Sequence, residues 1–425
     1  MRRTTLMAVT FVTALIATMA LNAPVAQAEP GQLDAFFSQD GIQTAFPNGA
    51  VAYAVTIDHH DRIVVAGSTL SAHPDIALAR FTPGGRLDAA FGMGGKVVTD
   101  LGANDYAFDL AIQDDGGIVV AGERRAAASA RFVVQRYRPN GTLDPGFANA
   151  GTALTGFGRR FQSASAIAIT PGGRIVVVGS TSNGVSSRSA VARYRTDGRL
   201  DRGFGGDGRV TTDVSPSGEQ FTDLAIQTDG RIVAAGWAEV SLLPMFSAVR
   251  YTIDGRLDHS FDGDGIARVD VAPGADRARA IAEQRDGTFV LAGGASAGGR
   301  DEWALIRLGP RGHVDPTFGN RGRLVTDFGP GFDEAYALAV QANGKLVVAG
   351  RIRNDAKDDI GVLRLKPGGG HDRTFGAGGR TLTDVAGGSD AARDITIAPN
   401  GKIVVTGEAT VERTRRSVVA RYLSS

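Results

Sequence analysis

An all-β fold, a seven-bladed β-propeller of four-stranded antiparallel blades, is what this sequence predicts. Three observations carry the prediction: a repeat of about 57 residues along most of the chain, four short apolar strands within each repeat, and apolar residues on both faces of those strands. The repeat is marked by the glycine that closes Asp229-Gly230-Arg231-Ile232-Val233-Ala234-Ala235-Gly236. Its copies are Gly67, Gly122, Gly179, Gly236, Gly293, Gly350 and Gly407, spaced 55 apart once and then 57 apart five times. Such a unit buries its apolar faces only against neighbouring copies of itself. A β-solenoid is the main rival, but its rungs are usually shorter and it needs distinct capping ends, which the sequence does not display.

At the start of the chain, Arg2 and Arg3 precede an apolar run from Leu6 to Leu21 and then Ala26-Gln27-Ala28, the charged, apolar and small-residue order of a secretory signal. Residues 1–28 are expected to be removed, leaving 29–425 as one propeller that is secreted or held at the cell-envelope exterior or periplasm. The apolar run is short for a membrane span, which takes roughly 20 residues. Neither membrane insertion nor an anchor in the mature chain is expected. There is no cysteine, so the exported fold relies on packing without disulfides or a cysteine-linked lipid. The 46 basic and 45 acidic residues give a formal charge of +1, no field that would favour nucleic acid. Gly, at 58 residues, falls in periodic turns and so marks many short strands rather than disorder.

Residues 334–384 show one repeat in full. Ala335-Tyr336-Ala337-Leu338-Ala339-Val340 alternates small and large side chains with the period of a strand, and Asn343-Gly344 is a tight-hairpin signal. Leu346 to Gly350 reads as a buried second strand, Ile360 to Leu365 as a third, and Arg380 to Asp384 as a fourth beyond the turns at Pro367 and Phe375-Gly376. In the first strand, large residues (Val55, Leu110, Ile167, Leu224, Ile281, Leu338, Ile395) share one face and small ones (Thr56, Ala111, Ala168, Ala225, Ala282, Ala339, Thr396) the other, so that one blade can nest on the next. Residues 41–46 align with Gly95 to Asp100, the fourth-strand element, yet precede the first complete unit. The last unit stops at Arg421-Tyr422, just before that element. The strand at 42–46 is therefore expected to complete the seventh blade and close the ring.

Each third strand ends in an arginine: Arg80, Arg136, Arg193, Arg250, Arg307, Arg364 and Arg421. Eight residues after the first six stand Asp88, Asp144, Asp201, Asp258, Asp315 and Asp372, and Asp34 is the matching acid for Arg421 across the termini. One active site does not need seven copies, so these are expected to be structural pairs, Arg364 with Asp372 and Arg421 with Asp34 among them, each a guanidinium holding a carboxylate through two parallel hydrogen bonds.

With the Leu-Asp-x-x-Phe-Gly turn, the Asp-Gly-Arg-Ile-Val hairpin, the Ala-Gly strand end and the Ala-Arg-Tyr strand in view, the chain resembles the bacterial delta-60 repeat family of β-propellers from about residue 33 to 422. It departs where Phe46 and Gly156 replace the acid found at Asp100, Asp213, Asp270, Asp327 and Asp384, and where His371 replaces the Leu before Asp372. The resemblance implies an exported repeat protein and no particular reaction.

Two sets of connections vary between repeats: those leading into the first strand, and those after the marker glycine. Strand direction puts both on one face, where binding is expected. Asp105, Glu219, Asp276, Asp333 and Asp390 occupy equivalent positions there. With the first strand innermost, they would gather near one mouth of the central channel and could bind Ca²⁺ or a basic partner, or else cap turns or pair with Arg277, Arg279 and Arg393. No other cofactor is expected. Asp109, Asp223 and Asp394 lie four residues further on in three repeats. Trp237, Leu242, Leu243, Pro244, Met245 and Phe246 form the most apolar of the variable loops, either an exposed patch or an inward plug, and Trp303 is a second aromatic anchor or a packed core residue.

Enzyme signals are thin. His59, His60, His73, His259, His313 and His371 show no ligand spacing, no Gly-x-Ser-x-Gly turn is present, and Asp262-Gly263-Asp264-Gly265 lacks the later glutamate of a calcium loop. Glu283 stands as a lone acid where other repeats have Ile or Val in a core register, and is expected to find an arginine. The sequence thus points to a monomeric binding scaffold that presents one variable face to a protein or glycan partner without catalysis. The alternative is a metal-dependent hydrolase or lyase with its site at the central channel.

Overall fold

A computed structural model describes residues 29–46, 49–297, 299–329, 331–354 and 357–424. The expected signal segment lies outside the described residues. Among the described residues there are 28 strands and no helix, hence no helix long and apolar enough to cross a membrane.

The strands form seven antiparallel four-stranded sheets, six of them in simple sequence order. The inner strands are Ala50–Ile57, Asn104–Ile112, Phe161–Ile169, Glu219–Ile226, Asp276–Glu283, Glu334–Val340 and Asp390–Ile397, in blades one to seven. The seventh sheet takes its outer strand from the other end of the chain. Ile42–Thr44 pairs with Thr414–Tyr422 in the register Ile42 with Ala420, Gln43 with Val419 and Thr44 with Val418. The ring closes as the repeat phase demands, with a strand of three residues in place of the five expected.

Burial follows the blade interfaces. The buried apolar residues separate into seven clusters, and each joins two adjacent blades: Val233, Phe246, Ile281 and Leu291 between blades four and five, for instance, and Phe37, Val55, Phe81, Val404 and Val419 across the closure. Large residues of the inner strands such as Leu110, Ile167 and Ile281 are buried. Each blade therefore finishes its core on the next, which is why no unit stands alone.

The arginine and aspartate pairs form in all seven blades. Nε of Arg80, Arg193, Arg307, Arg364 and Arg421 donates to its aspartate at 2.7–2.9 Å, Arg250 pairs with Asp258 at 2.8 Å, and Arg136 pairs with Asp144. The expected parallel double bond is not the geometry adopted. Nε and Nη2 of Arg80 both reach Oδ2 of Asp88 at 2.9 Å. The remaining nitrogen, Nη1, donates to a turn carbonyl of the following blade: Pro310 from Arg250, Pro367 from Arg307, Ser424 from Arg364 and, across the closure, Pro83 from Arg421. The guanidinium also lies over a phenylalanine of its own turn, 4.6 Å from the ring centre for Arg364 on Phe375. One side chain thus ties a turn to its strand and the blade to its neighbour, a use that favours Arg over Lys.

Candidate functional site at the channel mouth

The marker glycine decides what lines the channel. A Cβ placed on Gly236 would sit 1.9 Å from the carbonyl oxygen of Gln220 on the inner strand, and the same collision recurs at 1.9–2.1 Å for the other six. Only glycine lets the inner strand come this close. Directly opposite, every inner strand carries a β-bulge, for example between Phe221 and Asp223 and between Ala392 and Asp394. A bulge inserts one unpaired residue and re-aims its side chain. The seven bulged residues are Tyr53, Phe108, Ser165, Thr222, Arg279, Tyr336 and Arg393, and all of them line the channel.

These residues surround an open cavity of about 280 Å³ together with Ser163 and Gln220, which lie two residues earlier on their strands. The earlier residues lie nearer the start of the inner strand, so the mouth opens on the face that carries the variable connections. Its wall has three parts. Tyr53 and Phe108 meet edge to face at 5.5 Å, and Tyr106 stacks on Phe108 at 5.9 Å. Ser163, Ser165, Gln220 and Thr222 form a hydroxyl and amide arc, with Gln220 Nε2 donating to Ser165 Oγ at 3.2 Å. Arg279, Tyr336 and Arg393 form the cationic part, with Arg393 over the Tyr336 ring at 4.6 Å.

Acids from neighbouring positions hold these arginines in place. Arg279 bonds Glu334 at 2.7 Å, and Tyr336 donates to the same carboxylate at 2.8 Å. Arg393 bonds Glu408 at 2.5 Å. Burial alone would raise Glu334, but Arg279 and the Tyr336 hydroxyl outweigh it and lower its pKa. Burial pushes the Tyr53 and Tyr336 phenols up, each helped by a nearby glutamate, so both stay protonated donors. Arg351 and Arg415 also approach Glu334 and Glu408. Four guanidiniums thus gather on Glu334 and Glu408, and Arg351 also lies 3.9 Å from Asp358.

Beneath this ring lie Asp109, Asp223 and Asp394. Each accepts the N–H of the residue after it and an N–H of the next blade: Leu110 and Ile167, Leu224 and Ile281, Ile395 and Val55, all at 2.7–2.8 Å. They satisfy backbone donors left over beside the bulges. Burial raises all three, Asp109 well above the ordinary value, Asp223 to about 6 and Asp394 to about 7.

The five acids expected to gather at one mouth do not gather. Asp105, Glu219, Asp276, Asp333 and Asp390 are buried, and each accepts backbone N–H groups within its own blade junction, such as Leu101 for Asp105, Val271 and Ala272 for Asp276, and Val385 for Asp390. None of the five lines the channel cavity. Among the described residues, the groups of three acids with carboxylate oxygens within 4.8 Å of one another are Asp75 with Asp100 and Asp105, and Asp359 with Asp384 and Asp390. Both lie where one blade meets the next.

The aromatic patch also divides. Phe246 and Trp303 are fully buried, and Trp303 Nε1 donates to the Arg351 carbonyl at 3.0 Å. The supposed loop at 237–247 is a hairpin, with Ile232–Val240 and Leu243–Tyr251 joined through Ser241-Leu242. Trp237 is half-buried under Arg277, 5.5 Å from its ring centre, and Met245 is also half-buried. Leu242 and Leu243 are the exposed members. Glu283 finds Gln227 of the preceding blade at 3.2 Å in place of an arginine.

The family described as "Domain of unknown function (DUF5122) beta-propeller" matches residues 61–91, 113–147, 171–204, 227–261, 284–318, 341–375 and 398–425, more than half of the chain. Each segment spans the second and third strands with their turns, and all seven bulged residues fall outside the segments. No curated protein matches the sequence. Among solved structures, a catalytically inactive virginiamycin B lyase from Staphylococcus aureus with quinupristin is 13% identical, with TM-score 0.51, 89% of this chain and 98% of that chain covered. The polysaccharide lyase Uly1 is 11% identical, with TM-score 0.51 and 90% and 91% covered. Sqt1 from Chaetomium thermophilum is 12% identical, with TM-score 0.45 and 94% and 98% covered. At this identity the likeness is one of fold.

Proposed function

Since the chain belongs to the DUF5122 β-propeller family, whose matched segments are framework, we propose that its own function resides in the residues outside them, as a binding module that takes its ligand at the channel mouth. The observation that carries this reading is the bulge ring. Seven equivalent positions on a seven-fold scaffold hold aromatic, hydroxyl and cationic side chains in three adjoining arcs around one cavity. A purely structural ring would repeat one side chain, as the arginine pairs do. Variation on a rigid support, facing an open cavity, is the geometry of recognition.

The variable hairpins around the mouth extend the surface for a protein or glycan partner, and the expected export would place that partner at or beyond the cell envelope. A metal-dependent hydrolase or lyase is less well supported. The groups of acids suited to a metal stand at blade junctions, while the channel acids have both oxygens engaged by backbone N–H groups.

The test compares the chain with Ser163→Trp, which fills the mouth without touching an ion pair. Polysaccharide and protein fractions of an envelope extract are passed separately over both. Retention by the native chain alone, with the eluted ligand unchanged in size, is the expected result. Equal retention by Ser163→Trp would overturn the site. Ligand returned shortened or with new unsaturated ends would replace binding by catalysis.

A further inference from the structure

We propose that the channel mouth recognises an acidic saccharide, a sugar residue bearing a carboxylate, with the carboxylate on Arg279 and Arg393, the sugar face on Tyr53 and Phe108, and its hydroxyls on the arc from Ser163 to Thr222. The inference rests on the reading of the mouth as a ligand site and adds the chemistry of what enters it.

Charge decides the first step. Glu334 and Glu408 immobilise Arg279 and Arg393. Both Arg279 and Arg393 line the cavity while one edge of each is pinned to its glutamate. A carboxylate can therefore be met by fixed, partly desolvated donors, where charge-assisted hydrogen bonds are strong. Held guanidiniums also lose little rotamer freedom on binding.

Shape and polarity decide the second. Opposite the arginines, the wall offers aromatic ring surfaces from Tyr53 and Phe108, the latter backed by Tyr106, and no aliphatic socket. Ring faces suit the flat C–H face of a pyranose, while side chains of an acidic peptide would need either apolar pockets or a free strand for backbone pairing. Between the two walls stand three hydroxyls and one amide, donor and acceptor groups matched to vicinal hydroxyls. A phosphate would use the arginines and leave the aromatic wall without a role. The cavity, at about 280 Å³, lies near the small end of ligand pockets and suits one sugar ring with its neighbours outside.

The experiment is titration calorimetry on the chain and on Arg393→Gln, Arg279→Gln and Ser163→Trp, with four probes: trigalacturonate, its methyl ester, inorganic phosphate and a hexaglutamate peptide. Thermal unfolding of each variant shows that it is folded, and Ser163→Trp leaves the ion pairs whole should an arginine variant fail. Trigalacturonate is expected to bind at least tenfold more tightly than its ester, and each variant to weaken it at least tenfold. Equal binding of the ester would overturn the acidic requirement. Hexaglutamate or phosphate binding in place of the uronate, lost in Ser163→Trp, would overturn the saccharide and keep the mouth as a ligand site. Uronate binding unchanged in Ser163→Trp, or no binding of any probe together with envelope ligand retained equally by Ser163→Trp, would overturn both.

Discussion

The rim of the propeller and its channel are built on the same seven-fold register and use it in opposite ways. At the rim, Arg364 and five of its counterparts repeat one contact, made of a carboxylate, a carbonyl of the next blade and a phenylalanine face, while Arg136 keeps the carboxylate and turns to Gln113 and Asp115. In the channel, the seven bulged positions hold five different residue types. Repetition marks what every interface needs, and divergence marks what only the ring as a whole needs. The two regions are coupled through the marker glycines, since each glycine belongs to the repeated framework while making room for the bulge that presents a divergent residue.

The greatest loss is expected from opening the rim. Removing residues 29–46 deletes the outer strand of blade seven, Asp34 beneath Arg421 and Phe37 in the closing core. A buried arginine left without its acid costs about 3–5 kcal/mol by itself, to which the lost core adds. Circular dichroism during heating should show no cooperative transition. A sharp transition would mean that six and three-quarter blades suffice, and the rim contact would lose its role as the clasp.

A paired substitution within one blade sharpens the contrast. Gly179→Ala puts a Cβ 2.1 Å from the Ser163 carbonyl and 2.9 Å from the Ala164 Cα, both backbone, so the strands must part. The expected cost is about 3 kcal/mol, the upper end for overpacking. Ser165→Ala, on the bulge facing that glycine, should change stability by no more than about 0.5 kcal/mol. Denaturant unfolding of both gives the ratio. Similar costs would show that the bulge residue is framework after all.

pH separates the regions by sign. At the rim, burial works to raise Asp34, Asp88, Asp201 and Asp372, but Lys402 on Asp34, Lys345 on Asp372, the arginines and the turn N–H groups prevail and hold them below the ordinary value. That stabilisation is complete above the ordinary carboxylate range and is lost as pH falls through the lowered values. In the channel, burial raises Asp223 to about 6 and Asp394 to about 7. A raised group contributes stability that is fully present below its unfolded value of 3.8 and lost as pH rises through 6 to 7. The midpoint of thermal unfolding should therefore be highest between those limits. Asp394→Asn should flatten the alkaline limb alone and Asp372→Asn the acid limb alone. If either variant flattened both limbs, the two regions would not be electrostatically distinct.

Most of the framework was legible in the sequence because it is periodic. The marker glycine, the hairpin residues and the arginine eight residues before its aspartate all recur at fixed offsets, and offsets survive folding. Ring closure was legible for the same reason, from the phase of residues 41–46. The candidate site was harder to read because a bulge breaks the period of two on which facing is judged. The expectation placed Asp105 at the channel mouth, whereas the residue that lines the channel in that blade is Phe108 on the bulge. A signal was nonetheless present: the position 14 residues before each marker glycine reads Tyr, Phe, Ser, Thr, Arg, Tyr, Arg, preceded by Ala in six of the seven repeats. The variable loops misled in another way. Runs such as 237–247 differ between repeats and yet continue the hairpin, since cross-strand pairing tolerates many side chains.

A small gain, in place of a loss, is expected at the tip of that hairpin, and it bears on the same contrast. Ser241 and Leu242 adopt φ of 52° and 71°, the left-handed pair of a tight two-residue turn, and Leu242 is 84% exposed. Leucine there carries about 1–2 kcal/mol of steric cost that glycine avoids, partly offset by the roughly 0.4–1 kcal/mol that glycine loses through its freer unfolded chain. Leu242→Gly should therefore raise stability by up to about 1 kcal/mol, measured as a small upward shift of the unfolding midpoint. The same variant tested for retention of the envelope ligand then says why leucine stands there. If stability rises and retention falls, the hairpin tip is part of the divergent, ligand-facing surface. If stability rises and retention is unchanged, recognition is confined to the channel mouth, and the hairpins are its walls rather than its contacts.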